Sequence, residues 1–266
     1  MEASRARARV TVILLYHDVA ARNAREETGF GGPLAARYKL GPTDFANHLD
    51  AIAATGRIVA TFEPEASPPP AVTLTFDDGG ASALAAASAV ERHGWRAHFF
   101  VVTSLIDQPG FLCSDEIVEL VRRGHVIGSH SHTHPTYMAR LSREELEFEW
   151  STSRDILEEL LGAPPSTASI PGGMISRNVV ETAAGAGYRV LMTSEPVTTQ
   201  RRANGLVTAG RFNIWNTTPA SRAAAYARGA WRPRARLWLE WQAKSTTKRI
   251  SPTIYQQIRR LRARTG

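Results

Sequence analysis

The amino-acid sequence predicts an α/β fold built on a mostly parallel sheet. Short, β-rich apolar runs alternate with longer segments of helical period. Polar residues then gather where the apolar runs stop, as they do at the carboxyl ends of parallel strands. The 266 residues, 43% hydrophobic and 21% charged, suit one α/β domain, and no linker divides the chain into halves.

The first apolar run, Val10–Tyr16, follows a basic start (Arg5, Arg7, Arg9) and so has the outline of a signal peptide. It ends in His17-Asp18 without a small-residue cleavage site, and it is too short to cross a bilayer. It reads as the first strand of a protein expected in the cytoplasm. Five more strands are predicted at Ala71–Phe76, Ala97–Val102, Val126–Gly128, Thr167–Ile170 and Arg189–Met192. The cluster Ser67-Pro68-Pro69-Pro70 marks the loop entering the second. Helices are predicted at Thr43–Ala54, Ala81–His93, Ser114–Arg123, Ser142–Leu161 and Arg177–Ala186. Ser142 with Glu145 has capping-box spacing, and Gly94, Gly124 and Gly162 stand where carboxyl-terminal caps belong.

Composition narrows the function. A single cysteine, Cys113, excludes an internal disulfide framework and a cysteine-only zinc site; it reads as a small buried side chain. The net charge is +7, but it is concentrated: Trp231 to Gly266 carries ten Lys/Arg and one acidic residue, Glu240. The rest is close to neutral. Trp231, Leu237, Trp238, Leu239 and Trp241 interleave with these charges. The pattern fits a helix packed on the domain with a basic outer face, and also peripheral association with an anionic membrane. No nucleic-acid module accompanies the charge.

Two segments carry chemistry. In Thr75-Phe76-Asp77-Asp78-Gly79-Gly80, adjacent carboxylates at a strand end leave one turn in different directions. One can hold a metal while the other reaches a water. In Gly128-Ser129-His130-Ser131-His132-Thr133-His134, His130 and His134 are four apart, so on one helical turn they share a face. His132 points elsewhere and is assigned no ligand role. Two histidines and a carboxylate form a common zinc set that leaves a position open.

Thr75-Phe76-Asp77-Asp78-Gly79 followed by His130-Ser131-x-x-His134 resembles the first two motifs of the NodB-homology polysaccharide deacetylases, carbohydrate esterase family 4. The resemblance implies a distorted (β/α) barrel and makes Asp77 the catalytic base. It implies that Asp78, His130 and His134 hold a divalent cation, zinc first and cobalt or nickel as substitutes. A domain over residues 8–220 and a basic helical extension over 221–266 are expected. The implied substrate is an N-acetylhexosamine unit of an exopolysaccharide or of its precursor.

The sequence departs from this pattern twice. The family's third motif, Arg-x-Pro-aromatic-Gly, is represented by Ser169-Ile170-Pro171-Gly172-Gly173, so Ser169 replaces the Arg that pairs with the base. Arg211, on a later strand, is the candidate replacement, and the Gly172 N–H remains a candidate oxyanion donor. The usual late histidine is also missing. His17, in Leu15-Tyr16-His17-Asp18, resembles the early Tyr-His motif of the exopolysaccharide and poly-N-acetylglucosamine branch. It becomes the candidate general acid, with Asp18 either orienting it or forming a turn. Two other readings are a hydrolase of a non-sugar C–N bond, such as a cyclic imide, and a non-catalytic carbohydrate- or membrane-binding protein on a decayed domain.

Overall fold

The structure, a computed structural model, describes residues 11–65 and 72–250. Arg5, Arg7, Arg9, Val10, the Ser67–Pro70 loop, Ala71 and the tail beyond 250 lie outside the described residues. In chain order the strands are β1 (Val12–Tyr16), β2 (Val72–Phe76), β3 (His98–Val101), β4 (Val126–Ser129), β5 (Thr167–Ser169), β6 (Val190–Met192), β7 (Gln200–Ala203), β8 (Leu206–Ala209) and β9 (Phe212–Asn213). The helices are α1 (Gly32–Ala36), α2 (Pro42–Ala53), α3 (Ala83–Glu91), α4 (Ser114–Arg122), α5 (Arg143–Leu161), α6 (Arg177–Gly185), α7 (Ala220–Ala227) and α8 (Trp231–Ile250).

All six strands and five helices expected from the sequence form. The Ser142–Glu145 capping box closes in both directions, at 3.1 and 2.7 Å. Gly162 ends α5 in the left-handed conformation, φ 73°, as a residue without Cβ does most easily. Cys113 is not buried core. It is half-buried at the amino-terminal cap of α4, where its N–H donates to Glu116 Oε2 at 2.8 Å.

The sheet runs β7-β8-β6-β5-β4-β3-β2-β1-β9, and only the β7–β8 pair is antiparallel. Laid flat, β8 and β9 would stand seven strand spacings apart, roughly 33 Å. Only Gly210 and Arg211 separate Ala209 from Phe212, a span of at most about 11 Å. The sheet therefore curls until its edges nearly meet. Gly210 makes the crossing feasible, because a Cβ there would lie 2.3 Å from the Glu195 carbonyl oxygen.

Period-two alternation sorts side chains between the two faces of this curl. Val72, Leu74 and Phe76 of β2 face the outer layer with Phe45, Leu49, Ala86, Val90 and Tyr226. Met138, Leu146, Trp150, Val179 and Tyr188 fill a second cluster under α5 and α6. Inside the curl, Ile13, Phe100, Val190, Met192, Val207 and Ala209 pack with Phe62. α7 buries Ala223, Ala224, Tyr226 and Ala227, mainly against α2. α8 buries Leu237 and leaves Trp231, Trp238 and Leu239 exposed. Among the described residues no helix is long and apolar enough to cross a membrane.

Candidate active site

Strand register assembles the site. Tyr16 of β1 pairs with Phe76 of β2, so His17 and Asp77 leave adjacent strands at one level, and the Asp77 N–H donates to the Tyr16 carbonyl at 3.1 Å. β4 ends at Ser129, opposite Val101 of β3 and Ala168 of β5. His130 and Ser169 thus reach the same rim.

The two aspartates diverge. Asp78, with φ 78°, turns toward the histidines: its Oδ1 is 3.4 Å from His130 Nε2 and 3.5 Å from His134 Nε2. One ligand atom from each of Asp78, His130 and His134 lies within 4.8 Å of the others, a spacing that one cation can bridge. Burial alone would raise the Asp78 carboxyl; the His130 hydrogen bond and the charges of His17, His134 and His130 overcome it and hold it well below the usual range. Burial also pushes His134 down to about 4, against the pull of Asp78. A carboxylate beside a neutral imidazole is the state that binds metal.

His130 and His134 do not share a helical turn, contrary to the expectation from their spacing. Residues 130–137 form a loop, with Ser131 at φ 64° and His134 at φ 59°, and it places the two rings 5.0 Å apart. Non-glycine residues in the left-handed region persist only where their surroundings over-determine them. Here Glu149 of α5 does so. Its buried carboxylate accepts the N–H groups of His132 and Thr133 at 2.9 and 2.8 Å, and also the Thr133 hydroxyl. Ser129 Oγ accepts the Ser131 N–H and contacts Ser153 Oγ at 2.7 Å. His132 bonds Thr103 Oγ1 at 3.0 Å, away from the ligand set.

Asp77 turns into the curl. Arg211 Nη1 and Nη2 donate to its two oxygens at 2.6 and 2.7 Å, and Arg211 is fully buried. The guanidinium comes from the β8–β9 link rather than from a strand. Burial would raise the Asp77 carboxyl, but Arg211, then His130 and His17, bring it below its ordinary value. Ser169 is no blank in the third motif. Its Oγ lies 2.5 Å from His130 Nδ1 and donates to Asp77 Oδ1 at 3.3 Å, while its carbonyl is 3.1 Å from the same nitrogen. A hydroxyl that donates to Asp77 accepts from His130, so Nδ1 carries a proton and Nε2 is left as the nitrogen directed at Asp78.

Gly172 sits at φ 64°, against the Thr136 carbonyl, where a Cβ would come within 2.7 Å of the oxygen. His17 lies close enough to Asp77 and Asp78 for its charge to be felt by both, and its Nδ1 is buried with no hydrogen-bond partner among the described residues. Asp18 does not hold it. The Asp18 Oδ1 accepts from Thr28 and Ser82 hydroxyls at 2.7 and 2.8 Å, pinning residues 18–30 to the turn after β2. Sequence reasoning passed over Glu149, Phe30, whose ring is 4.7 Å from His134, and Tyr38, 4.4 Å from His17. Only an aromatic content in the loop after β1 hinted at the last two.

Residues 65–191 match the model of the polysaccharide deacetylase family. Peptidoglycan-N-acetylglucosamine deacetylase PgdA of Listeria monocytogenes is 29% identical over 154 residues, 57% of this chain and 32% of that protein. The putative polysaccharide deacetylase YxkH of Bacillus subtilis is 25% identical over 126 residues, 47% and 45% of the two chains. The chain thus spans less than half the length of either relative. Among solved structures, a polysaccharide deacetylase from Bacillus cereus superposes with a TM-score of 0.69 at 22% identity, over 82% of this chain and 69% of that one. IcaB from Ammonifex degensii superposes with a TM-score of 0.66 at 20% identity, over 82% and 97%. The curled sheet is the fold of these solved structures, and the match to the polysaccharide deacetylase family lies in residues 65–191, a little under half of the chain.

Proposed function

We propose that the chain is a metal-dependent hydrolase that removes N-acetyl groups from N-acetylhexosamine units of a polysaccharide or its precursor. The observation that carries this reading is the division of two adjacent aspartates. Asp78 faces two imidazoles, while Asp77 is fixed by Arg211 beside them.

Asp78, His130 and His134 would hold the cation, and their two-nitrogen, one-oxygen donor set would favour zinc. When bound, it would supply Lewis-acid polarisation of the amide carbonyl and of water. Asp77 accepts the proton of the attacking water. The Gly172 N–H receives the developing oxyanion, and His17 protonates the departing amine from the neighbouring strand end. Arg211 orients Asp77 and keeps it ionised.

The bare aromatic side chains of α8, Trp231 and Trp238, stand beside Arg232, Arg234 and Arg236. They support peripheral docking on an anionic membrane, where a lipid-linked precursor on the cytoplasmic face would be met. Removal of residues 231–266 should abolish flotation with anionic vesicles; equal flotation of both forms removes this part of the reading.

Turnover of an N-acetylglucosamine oligomer, followed with and without chelator, tests the assignment alongside metal content. Asp77→Asn should keep its metal and lose turnover by about 10²–10⁴-fold, whereas His130→Ala should lose both. Full activity of Asp77→Asn would show that another group is the base.

A further inference from the structure

The two candidate histidine ligands are held by different means. His130 is buried, its side chain 3% exposed, and its Nδ1 meets the Ser169 hydroxyl and carbonyl at 2.5 and 3.1 Å. The His134 side chain is 24% exposed. Its backbone N–H donates to Ser131 Oγ at 3.1 Å, and its ring lies between the His130 ring at 5.0 Å and the Phe30 ring at 4.7 Å. Phe30 is tilted 40° to the imidazole and packs edge to face on Phe111, with centroids 5.4 Å apart. Both phenylalanines are half-buried and join none of the three hydrophobic clusters. Their packing serves the rim of the site rather than the core.

Three loops are tied together beneath these rings. Asp18 Oδ1 accepts the Thr28 and Ser82 hydroxyls at 2.7 and 2.8 Å, and the Ser82 N–H donates to Thr28 Oγ1 at 2.9 Å. One residue on, the Gly29 N–H donates to the Gly110 carbonyl at 2.6 Å, an oxygen that also accepts the Ala81 N–H at 2.9 Å. Phe111 bridges to Gly80 in the turn that follows Asp78. Gly29, at φ 59°, and Gly80 press so closely on the Asp18 carboxylate that neither has room for a Cβ. Asp18 and Thr28 are buried. The loops after β1, β2 and β3 are thus fixed to one another, and Phe30 is the side chain through which this tie reaches His134.

A metal ligand binds well when packing and hydrogen bonds keep it in one rotamer, and a tilted aromatic pair supplies orientation as well as contact. We propose that Phe30 is a positioning residue for the candidate metal ligand His134, and that Thr28, latched to Asp18 and Ser82, acts on the site through Phe30. The proposal rests on reading Asp78, His130 and His134 as a metal set.

Two measurements test it without substrate: zinc affinity by competition with a chromophoric chelator, and the visible absorption of the protein saturated with cobalt. Phe30→Ala should lower zinc affinity about three- to tenfold, the size of one aromatic pair. It should also change the cobalt bands, which report ligand geometry rather than affinity. Phe30→Tyr keeps the ring and should restore both. Thr28→Val removes the hydroxyl between Asp18 and Ser82; it should lower zinc affinity in the same direction, and add nothing when combined with Phe30→Ala. Thermal denaturation of the metal-free proteins follows folding, and Phe30→Leu serves if the alanine variant melts early. Unchanged zinc affinity and cobalt bands in these Phe30 variants, whatever their stability, overturn the positioning role, as do equal changes in Phe30→Tyr and Phe30→Ala. Additive losses from Thr28→Val and Phe30→Ala overturn the latch. A wild-type protein that binds neither metal removes the metal set and this proposal with it. Variants that behave as expected, in a protein that deacetylates no oligomer, would retire the hydrolase reading and leave the role of Phe30 standing.

Discussion

Arg211 and Asp77, 134 positions apart, meet through two hydrogen bonds at the place where the sheet closes on itself. The guanidinium also donates from Nε to the Thr193 carbonyl at 3.0 Å and from Nη1 to Thr75 Oγ1 at 3.3 Å, and it lies 5.5 Å from the Phe100 ring centre. One side chain therefore ties the end of β6, the interior of β2 and the candidate base to the two-residue link that brings the sheet edges together.

This arrangement predicts a large and reciprocal effect of mutation. Arg211→Met leaves a buried carboxylate without its countercharge and should cost about 3–5 kcal/mol in chemical denaturation. Asp77→Asn combined with Arg211→Met removes both charges and should recover much of that loss. Additive costs in the double variant would mean that the pair is not coupled.

Ser169 is expected to tune metal affinity through His130. Ser169→Ala removes the hydroxyl that bridges His130 Nδ1 and Asp77 but keeps the Ser169 carbonyl contact. Outer hydrogen-bond partners of metal ligands are worth about 10–100-fold in affinity or activity. With one of two contacts retained, a loss near the lower figure is expected in zinc competition against a chromophoric chelator. Unchanged affinity would reduce Ser169 to a packing residue.

Glu149 should matter without touching substrate. Glu149→Ala leaves the His132 and Thr133 N–H groups without their acceptor, at about 1–3 kcal/mol for unsatisfied buried donors. It also frees Ser131 and His134 to leave the left-handed region. Thermal stability and zinc affinity should fall together, with Glu149→Gln intermediate. A loss of stability alone would separate the loop's anchoring from its ligand geometry.

These residues mark how far the sequence could be read. Buried parallel strands write themselves as apolar runs, so the strands from Val12 to Met192 and the ends carrying His17, Asp77 and His130 were legible. The His130–His134 loop was misread as a turn of helix because spacing four is compatible with both; the deciding contact comes from Glu149 on another element. Arg211 could be nominated, but its position followed only from closure of the sheet, which no local pattern encodes. The β7–β8 hairpin was missed because Gln200–Ala203 is exposed and lacks apolar alternation. Its signal was Asn204-Gly205, both at positive φ, as a two-residue hairpin turn demands.

His98 sets a pH dependence of stability apart from the candidate metal ligands. It points into the curl from β3 with no exposure, and its Nε2 accepts the Phe62 N–H at 2.8 Å. Burial first, and then the charge of Arg211, push its pKa from 6.5 down to about 3. The folded protein thus refuses a proton that the unfolded chain accepts. Stability from this group is complete above pH 6.5 and falls toward pH 3, by at most about 1.4 kcal/mol per unit. His48 and His125 are also shifted down, burial being the first cause in each, and they act in the same direction. The contribution of His98 is therefore read from a difference. His98→Gln offers an acceptor to Phe62 but does not titrate. It should be less stable than wild type at pH 7.5, and the gap should narrow between pH 6.5 and 5, above the range where carboxylates dominate. Urea denaturation at three pH values in that window measures it; parallel stability curves would show that His98 takes up a proton equally in both states.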